Sequence, residues 1–176
     1  PEAAIQCAQP GREISLDDSA LLLKVREQGR DALRCRVVRG GVLKSRKSLA
    51  ILGVEPDTPA LTAEDLEDLD QAGRWGVTHI LQPFVRGAED LLTVRQALDR
   101  RGLARVKIMA KIENRTGLDK LDEIIAGADE VCIARGDLGN SMPLWQLPRV
   151  QKDIAERCRA AGRTFCLVTQ LLWSME

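Results

Sequence analysis

Lys111 and Glu113 stand two apart in the run Ala110-Lys111-Ile112-Glu113-Asn114, which closes the apolar stretch 106–110. On an extended backbone alternate side chains face the same way, so this ammonium and carboxylate share one face while Ile112 takes the other. A second carboxylate, Asp137, lies in Arg135-Gly136-Asp137-Leu138-Gly139, directly after the apolar run 131–134. Two carboxylates on neighbouring strand ends make a pair of hard oxygen donors. Few hard oxygens, completed by water and substrate, suit Mg²⁺ or Mn²⁺ better than zinc. His79 is the single histidine of the sequence, which excludes a multi-histidine zinc site. A lysine beside a metal site is poorly placed for stability but well placed to neutralise a substrate oxyanion or a phosphoryl group. The glycines around Asp137 let backbone N–H groups approach an anion, because glycine tolerates dihedrals that other residues avoid. Thr169, in the Thr169-Gln170 pair after the run 165–168, offers a hydroxyl able to relay a proton.

Taken singly these signals are weak. A Lys and a Glu two apart on a strand commonly line a solvated surface, and a lone Arg-Gly-Asp-Leu-Gly turn says little. Their weight comes from position, since each follows one of a series of apolar runs, where parallel α/β proteins place their active sites.

The elements that position them follow from periodicity. The runs at 79–81, 106–110, 131–134 and 165–168 are near-continuously hydrophobic, as expected of parallel strands buried on both faces. Helical stripes fill the intervals. Thr62 is a good N-cap with Glu64 and Asp65 in the first turn, followed by Leu66, Leu69 and Ala72. Leu91, Val94 and Leu98 form a second stripe, with Gly102 at the expected C-cap position. Leu118, Leu121, Ile124 and Ile125 form a third, and Leu147, Val150, Ile154 and Cys158 a fourth that closes at Gly162. This cadence from residue 61 onward predicts βα units feeding a parallel sheet, as in a barrel or a doubly wound fold. Upstream the pattern differs. Residues 1–12 show no periodicity, 13–16, 21–25 and 33–38 read as short β runs, and Gly40-Gly41, Lys44-Ser45-Arg46-Lys47, Gly53, Pro56 and Pro59 mark a loop-rich passage.

Composition narrows the partners. Of the 176 residues 44% are hydrophobic and 30% charged, which supports a packed core. Twenty-six basic residues balance twenty-six acidic ones, so no net charge recruits nucleic acid or an anionic membrane. Aromatic residues are sparse, which argues against stacking surfaces for single-stranded nucleic acid. No apolar run approaches the roughly 18 residues of a membrane span, and no secretory leader pattern opens the chain, so a cytoplasmic protein is expected. Cys7, Cys35, Cys132, Cys158 and Cys166 are odd in number and lack CxxC spacing, so buried free thiols are expected.

Ala110-Lys111-Ile112-Glu113-Asn114 with Gly117, Ala134 to Gly139, Gln151-Lys152, Arg157-Cys158, Ala161-Gly162 and Thr169-Gln170-Leu171-Leu172 with Ser174-Met175 resemble the pyruvate kinase family. Gly40-Gly41, Ser45-Arg46-Lys47, Gly53, Asp57 to Leu61 and Phe84-Val85-Arg86 match the same family in the same order, so the resemblance runs from about residue 12 to the end. It implies an α/β fold: a partial parallel (β/α)8 TIM-type barrel over 41–176, from the third strand's return through the seventh. Residues 1–40 would hold a remnant of a small β-barrel lid domain. By the same resemblance Lys111 stabilises the transferring phosphoryl group and the enolate, and Glu113 and Asp137 hold Mg²⁺ (or Mn²⁺). The backbone at Gly136 and Asp137 cradles the phosphoenolpyruvate carboxylate, Thr169 sits near the carbon that is protonated, and Lys47 reaches the nucleotide. The implied reaction is phosphoryl transfer from phosphoenolpyruvate to ADP, giving pyruvate and ATP in glycolysis. A homotetramer and K⁺ are implied too, although the customary K⁺ ligands belong to a segment absent here.

Some positions depart from the family. Pro83 replaces a serine, Ala50 and Leu52 replace an Asn and a Pro, Trp173 replaces a carboxylate, and Asn140-Ser141-Met142 also differs. With the first strands and their phosphate-gripping residues missing, the chain alone is expected to be catalytically incompetent. A metal-enolate lyase or aldolase would share the two carboxylates, but the basic stretch ending in Lys47 favours a nucleotide-using enzyme. A non-catalytic relative would have no physical reason to keep so costly a cluster.

Overall fold

The computed structural model of the protein describes residues 2–17, 20–54, 58–169 and 171. The chain divides into two compact units, Pro1–Thr58 and Pro59–Glu176.

The first unit is an antiparallel sheet of β1 (Glu13–Leu16), β2 (Leu21–Gln28), β3 (Leu33–Arg39) and β4 (Leu49–Ile51), in the order β3-β2-β1-β4. Two features differ from the sequence expectation. Residues Glu2–Cys7, expected to be irregular, form a short helix, α1. It is held because the Gln28 amide donates to the carbonyls of Ile5 at 2.7 Å and Gln6 at 3.0 Å, satisfying groups a helix end leaves open. Ala8, directly after it, joins Ile14, Val25 and Ile51 in this unit's core. Second, the sequence places its change of character at 40/41, whereas the compact unit runs on to Thr58, because β4 pairs with β1 through Ile14 and Ile51. A three-residue strand inside a loop-rich passage leaves too short a pattern to read.

The second unit alternates strands and helices. β5 (His79–Gln82), β6 (Lys107–Ile112), β7 (Glu130–Ala134) and β8 (Thr164–Val168) form a parallel sheet in sequence order. Each strand follows a helical segment: α2 (Ala63–Ala72), α3 (Ala88–Asp99), the pair α4 (Arg115–Asp119) and α5 (Leu121–Gly127), and α7 (Leu147–Ala160). A short α6 (Arg135–Asn140) and a 3₁₀ turn precede α7. The fold is mixed α/β with a parallel sheet; the described strands do not close into a barrel, and β5 and β8 stand at the two edges.

Helix boundaries follow their caps. Thr62 accepts from the Asp65 amide while the Asp65 carboxylate accepts from the Thr62 amide at 2.7 Å, a reciprocal capping box that starts α2. The third predicted helix is two, because Lys120, with φ −110° and ψ 25°, leaves the helical region. α4 is fixed by its Asn114 cap, and α5 turns Leu121, Ile124 and Ile125 into the core.

Along β6 burial alternates: Ile108, Ala110 and Ile112 are buried, whereas Lys107 is exposed and Met109 and Lys111 are half-buried. The buried set joins Val131 and Ile133 of β7 beneath Leu91, Val94 and Leu98 of α3, Ile124 of α5 and Ile154 of α7. Each such Val, Leu or Ile side chain contributes about 1.5–3 kcal/mol on burial. The expectation of strands buried on both faces holds for β7, where Val131 to Ala134 are all buried, and is corrected for β5 and β6. One face lies under the helices, and the other carries His79, Leu81, Lys107, Met109 and Lys111 with substantial exposure. Met109 is apolar, which makes the run look continuous in sequence. Asp129 locks the register where β7 begins, accepting from the Ile108 amide at 2.8 Å and from Arg95 at 2.7 Å.

Candidate active site

Parallel pairing sets Gln82 beside Ala110, Ile112 beside Ile133 and Ala134 beside Val168. The residues that follow these strands therefore emerge at one end of the sheet. Lys111 and Glu113 meet there as the sequence predicts, with Nζ 2.5 Å from Oε1. The Glu113 side chain is fully buried, and its other oxygen, Oε2, accepts the Phe84 amide at 2.7 Å. Oε1 is in direct contact with the Lys111 ammonium, which is its counter-charge. Burying a carboxylate is costly unless partners replace water, and here the Lys111 ammonium and the Phe84 amide do so.

The loop that brings Phe84 to Glu113 is held from below. Asn114 caps α4 by accepting the Gly117 amide at 2.6 Å, and its Nδ2 donates to the Val85 carbonyl at 3.4 Å. Gly117 is required by close approach: a Cβ there would lie 2.5 Å from the Val85 carbonyl oxygen. Arg86 and Asp90 close the other side of the loop, Nη2 to Oδ1 at 2.9 Å, with the Arg86 amide also donating to Asp90. Burial pushes the Asp90 carboxyl up, but the hydrogen bonds and charge of Arg86, with Lys120 nearby, more than offset it, so the carboxyl titrates below its ordinary value.

At the ends of β7 and β8 the Gly136 amide donates to the Thr169 hydroxyl at 3.0 Å. The sequence treats residues 135–139 as a turn needing glycine dihedrals; instead they begin α6, and Gly136 and Gly139 have no left-handed φ. Glycine there leaves the backbone uncovered without bending it. Thr169 itself has φ 62°, and Phe84 has φ 50°, so two non-glycine residues at this end of the sheet hold left-handed backbones. Such conformations are sparsely populated and cost of order 1–3 kcal/mol each. Asp137 follows Gly136 in α6 and is half-buried.

Among the predicted residues the structure thus joins Lys111 to Glu113 and Gly136 to Thr169. Lys47 lies in the first unit, where it pairs with Asp17 at 2.8 Å. Gln170 and Trp173 lie outside the described residues. The sequence gives no sign of the Phe84 amide bond or the Asn114–Val85 contact, because backbone groups leave no residue-type signal; Phe84-Val85, Asn114 and Gly117 stand out there only as positions that match the family. Cys132 was expected only as a buried thiol. Burial first, then the adjoining Cys166, pushes its pKa up to about 12, with Lys111 acting in the opposite direction.

The donor set fits a hard divalent cation. Glu113 offers a buried carboxylate at the end of β6, and Asp137 stands at the next strand end. Among the described residues no group of three or more His, Cys, Asp or Glu side chains could enclose a metal. Mg²⁺ accepts one or two protein carboxylates, retaining water or substrate oxygens for the rest.

The pyruvate kinase barrel-domain model matches residues 2–176. The chain belongs to the pyruvate kinase family. It is 38% identical over 167 residues to pyruvate kinase of Clostridium perfringens, covering 95% of this chain and 35% of that protein. It is 39% identical over 165 residues to pyruvate kinase of Aeropyrum pernix, covering 94% of this chain and 36% of the relative. It is 41% identical over 169 residues to pyruvate kinase PKLR of Rattus norvegicus, covering 94% and 29%. The chain therefore spans about a third of the length of the curated pyruvate kinases it matches. No helix among its described residues is long and apolar enough to cross a membrane.

Proposed function

We propose that this chain carries the metal-binding and phosphoryl-stabilising part of a pyruvate kinase site, which moves a phosphoryl group from phosphoenolpyruvate to ADP in glycolysis. The observation that carries the proposal is the buried Glu113 carboxylate, paired with the Lys111 ammonium at the strand end. Phosphoryl transfer asks little covalent chemistry of a protein and much positioning and charge neutralisation. The Lys111 ammonium, 21% exposed, supplies fixed positive charge where the transferring group and the enolate oxygen are negative. Glu113 and Asp137 would hold Mg²⁺ or Mn²⁺, which when bound contributes Lewis-acid stabilisation of substrate oxygens. The Gly136 and Asp137 amides would receive the substrate carboxylate, Gly136 exchanging its bond to Thr169 for one to the ligand. While Thr169 accepts from Gly136, its own O–H remains a donor, suited to deliver a proton toward the enolate carbon.

Lys47 would reach the nucleotide by exchanging Asp17 for a phosphate oxygen. We assign the first compact unit to the lid domain and the second to the catalytic barrel. K⁺, a homotetramer and a cytoplasmic setting belong to the same proposal, and the chain alone is expected not to turn over.

The test is Mn²⁺ binding to the purified chain by water-proton relaxation, with and without phosphoenolpyruvate. Binding should strengthen with substrate and disappear in both Glu113→Gln and Asp137→Asn. Binding that survives in both variants, or a folded wild type indifferent to phosphoenolpyruvate, would sink the proposal.

A further inference from the structure

On the face of the parallel sheet that carries Lys111, Lys111 pairs in register with the buried Cys132, and Cys132 with Cys166. Residues paired in register in a parallel ladder project to the same side, and Met109, two before Lys111, projects there too. The three sulfurs of Met109, Cys132 and Cys166 thus converge from three adjacent strands. Cys166 Sγ lies 3.8 Å from Met109 Sδ. Cys132 and Cys166 stand side by side in the β7–β8 ladder.

We propose that Met109, Cys132 and Cys166 form a binding site for a soft monovalent metal ion, best matched by Cu⁺. Thiolate and thioether ligands select Cu⁺ over hard cations. Metal–sulfur bonds of about 2.3 Å in a trigonal plane hold their sulfurs about 4 Å apart, close to the separation between Met109 and Cys166. Zinc is a poor fit, because structural zinc takes four ligands and no third His, Cys, Asp or Glu joins the two thiols among the described residues. Binding is balanced by release of the two thiol protons: Cu⁺ with two thiols and a neutral thioether gives a site of net charge −1. Lys111 is next to Cys132 in the ladder but its charge is already paired with Glu113, so the bound site keeps its net negative charge. The donors are separate from Glu113 and Asp137, so the site stands independently of the phosphoryl-transfer proposal.

The test is anaerobic titration of the reduced full chain against a bicinchoninate–Cu⁺ probe. Wild type and the control Cys158→Ser, whose thiol is buried in the helix-covered core, should each withdraw one equivalent of Cu⁺. Changes in groups behind a metal's ligands alone cost about 10–100-fold in affinity, so Cys132→Ser and Cys166→Ser should weaken uptake at least that much, and Met109→Leu more mildly. Copper K-edge absorption of the loaded wild type should show three sulfur neighbours, a readout that needs no variant to fold. A nitrogen and oxygen shell, undiminished uptake in both cysteine variants, or no uptake by folded wild type would overturn the proposal.

Discussion

The Phe84 amide donates to Glu113 Oε2 at 2.7 Å, joining the loop after β5 to the end of β6. Phe84 does so from a left-handed backbone with φ 50°. The bond thus orients a buried carboxylate by way of a loop that is itself under strain, and leaves Oε1 facing Lys111.

Because Glu113 is wholly buried, its dependence on Lys111 should be measurable. Removing one partner of a buried ion pair strands the other, at about 3–5 kcal/mol. Lys111→Met should therefore lower unfolding stability by about that amount, and Lys111→Met/Glu113→Gln should recover most of the loss. Urea unfolding of the two single variants and the double completes the cycle; additive effects would show that the pair is not coupled.

Gly117→Ala should disturb the site without touching it. The added methyl would meet the Val85 carbonyl oxygen at 2.5 Å, so the loop carrying Phe84 must shift. Overpacking of this kind costs about 1–3 kcal/mol. Thermal denaturation should register the loss, and hydrogen exchange should show the Phe84 amide less protected than in wild type.

The backbone at Thr169 allows a test in which stability moves both ways. Asparagine tolerates the left-handed region and should raise stability by about 1 kcal/mol. Thr169→Val keeps the β-branched strain and removes the acceptor for the Gly136 amide, so it should lower stability by about 1 kcal/mol. Equal melting temperatures for the two variants would contradict the φ of 62°.

Asp90 gives a pH signature. Its carboxyl titrates lower in the folded chain than in the unfolded one, so the unfolded state binds more protons between the two pKa values. Its contribution is therefore full above the ordinary carboxylate value of about 3.9 and is lost as pH falls through the folded value. Asp90→Asn should cost about 1–2 kcal/mol at pH 7. The difference from wild type should shrink progressively below about pH 4.

Side-chain chemistry with a local rule behind it was legible in the sequence. Thr62 announced α2, the stripe Leu91, Val94 and Leu98 announced α3, and alternation placed Lys111 and Glu113 together. What escaped depends on contacts distant in the chain. The helix at Glu2–Cys7 needs Gln28, β4 needs Ile14, and the orientation of Glu113 needs an amide 29 residues away. The third helix was read as one because Leu118 and Leu121 keep helical spacing across Lys120, where the backbone breaks.

The alternation along β6 divides its residues between two kinds of constraint. Ile108, Ala110 and Ile112 answer to the helices above them, while Met109 and Lys111 answer to whatever occupies the open face. Substitutions in the first set should move the melting temperature and leave ligand preference alone; those in the second should reach the ligand side, with Lys111 also moving stability through its pairing with the buried Glu113. The chemistry of one face could therefore change through alternate positions of the strands, with the packed half of the same strands unchanged throughout.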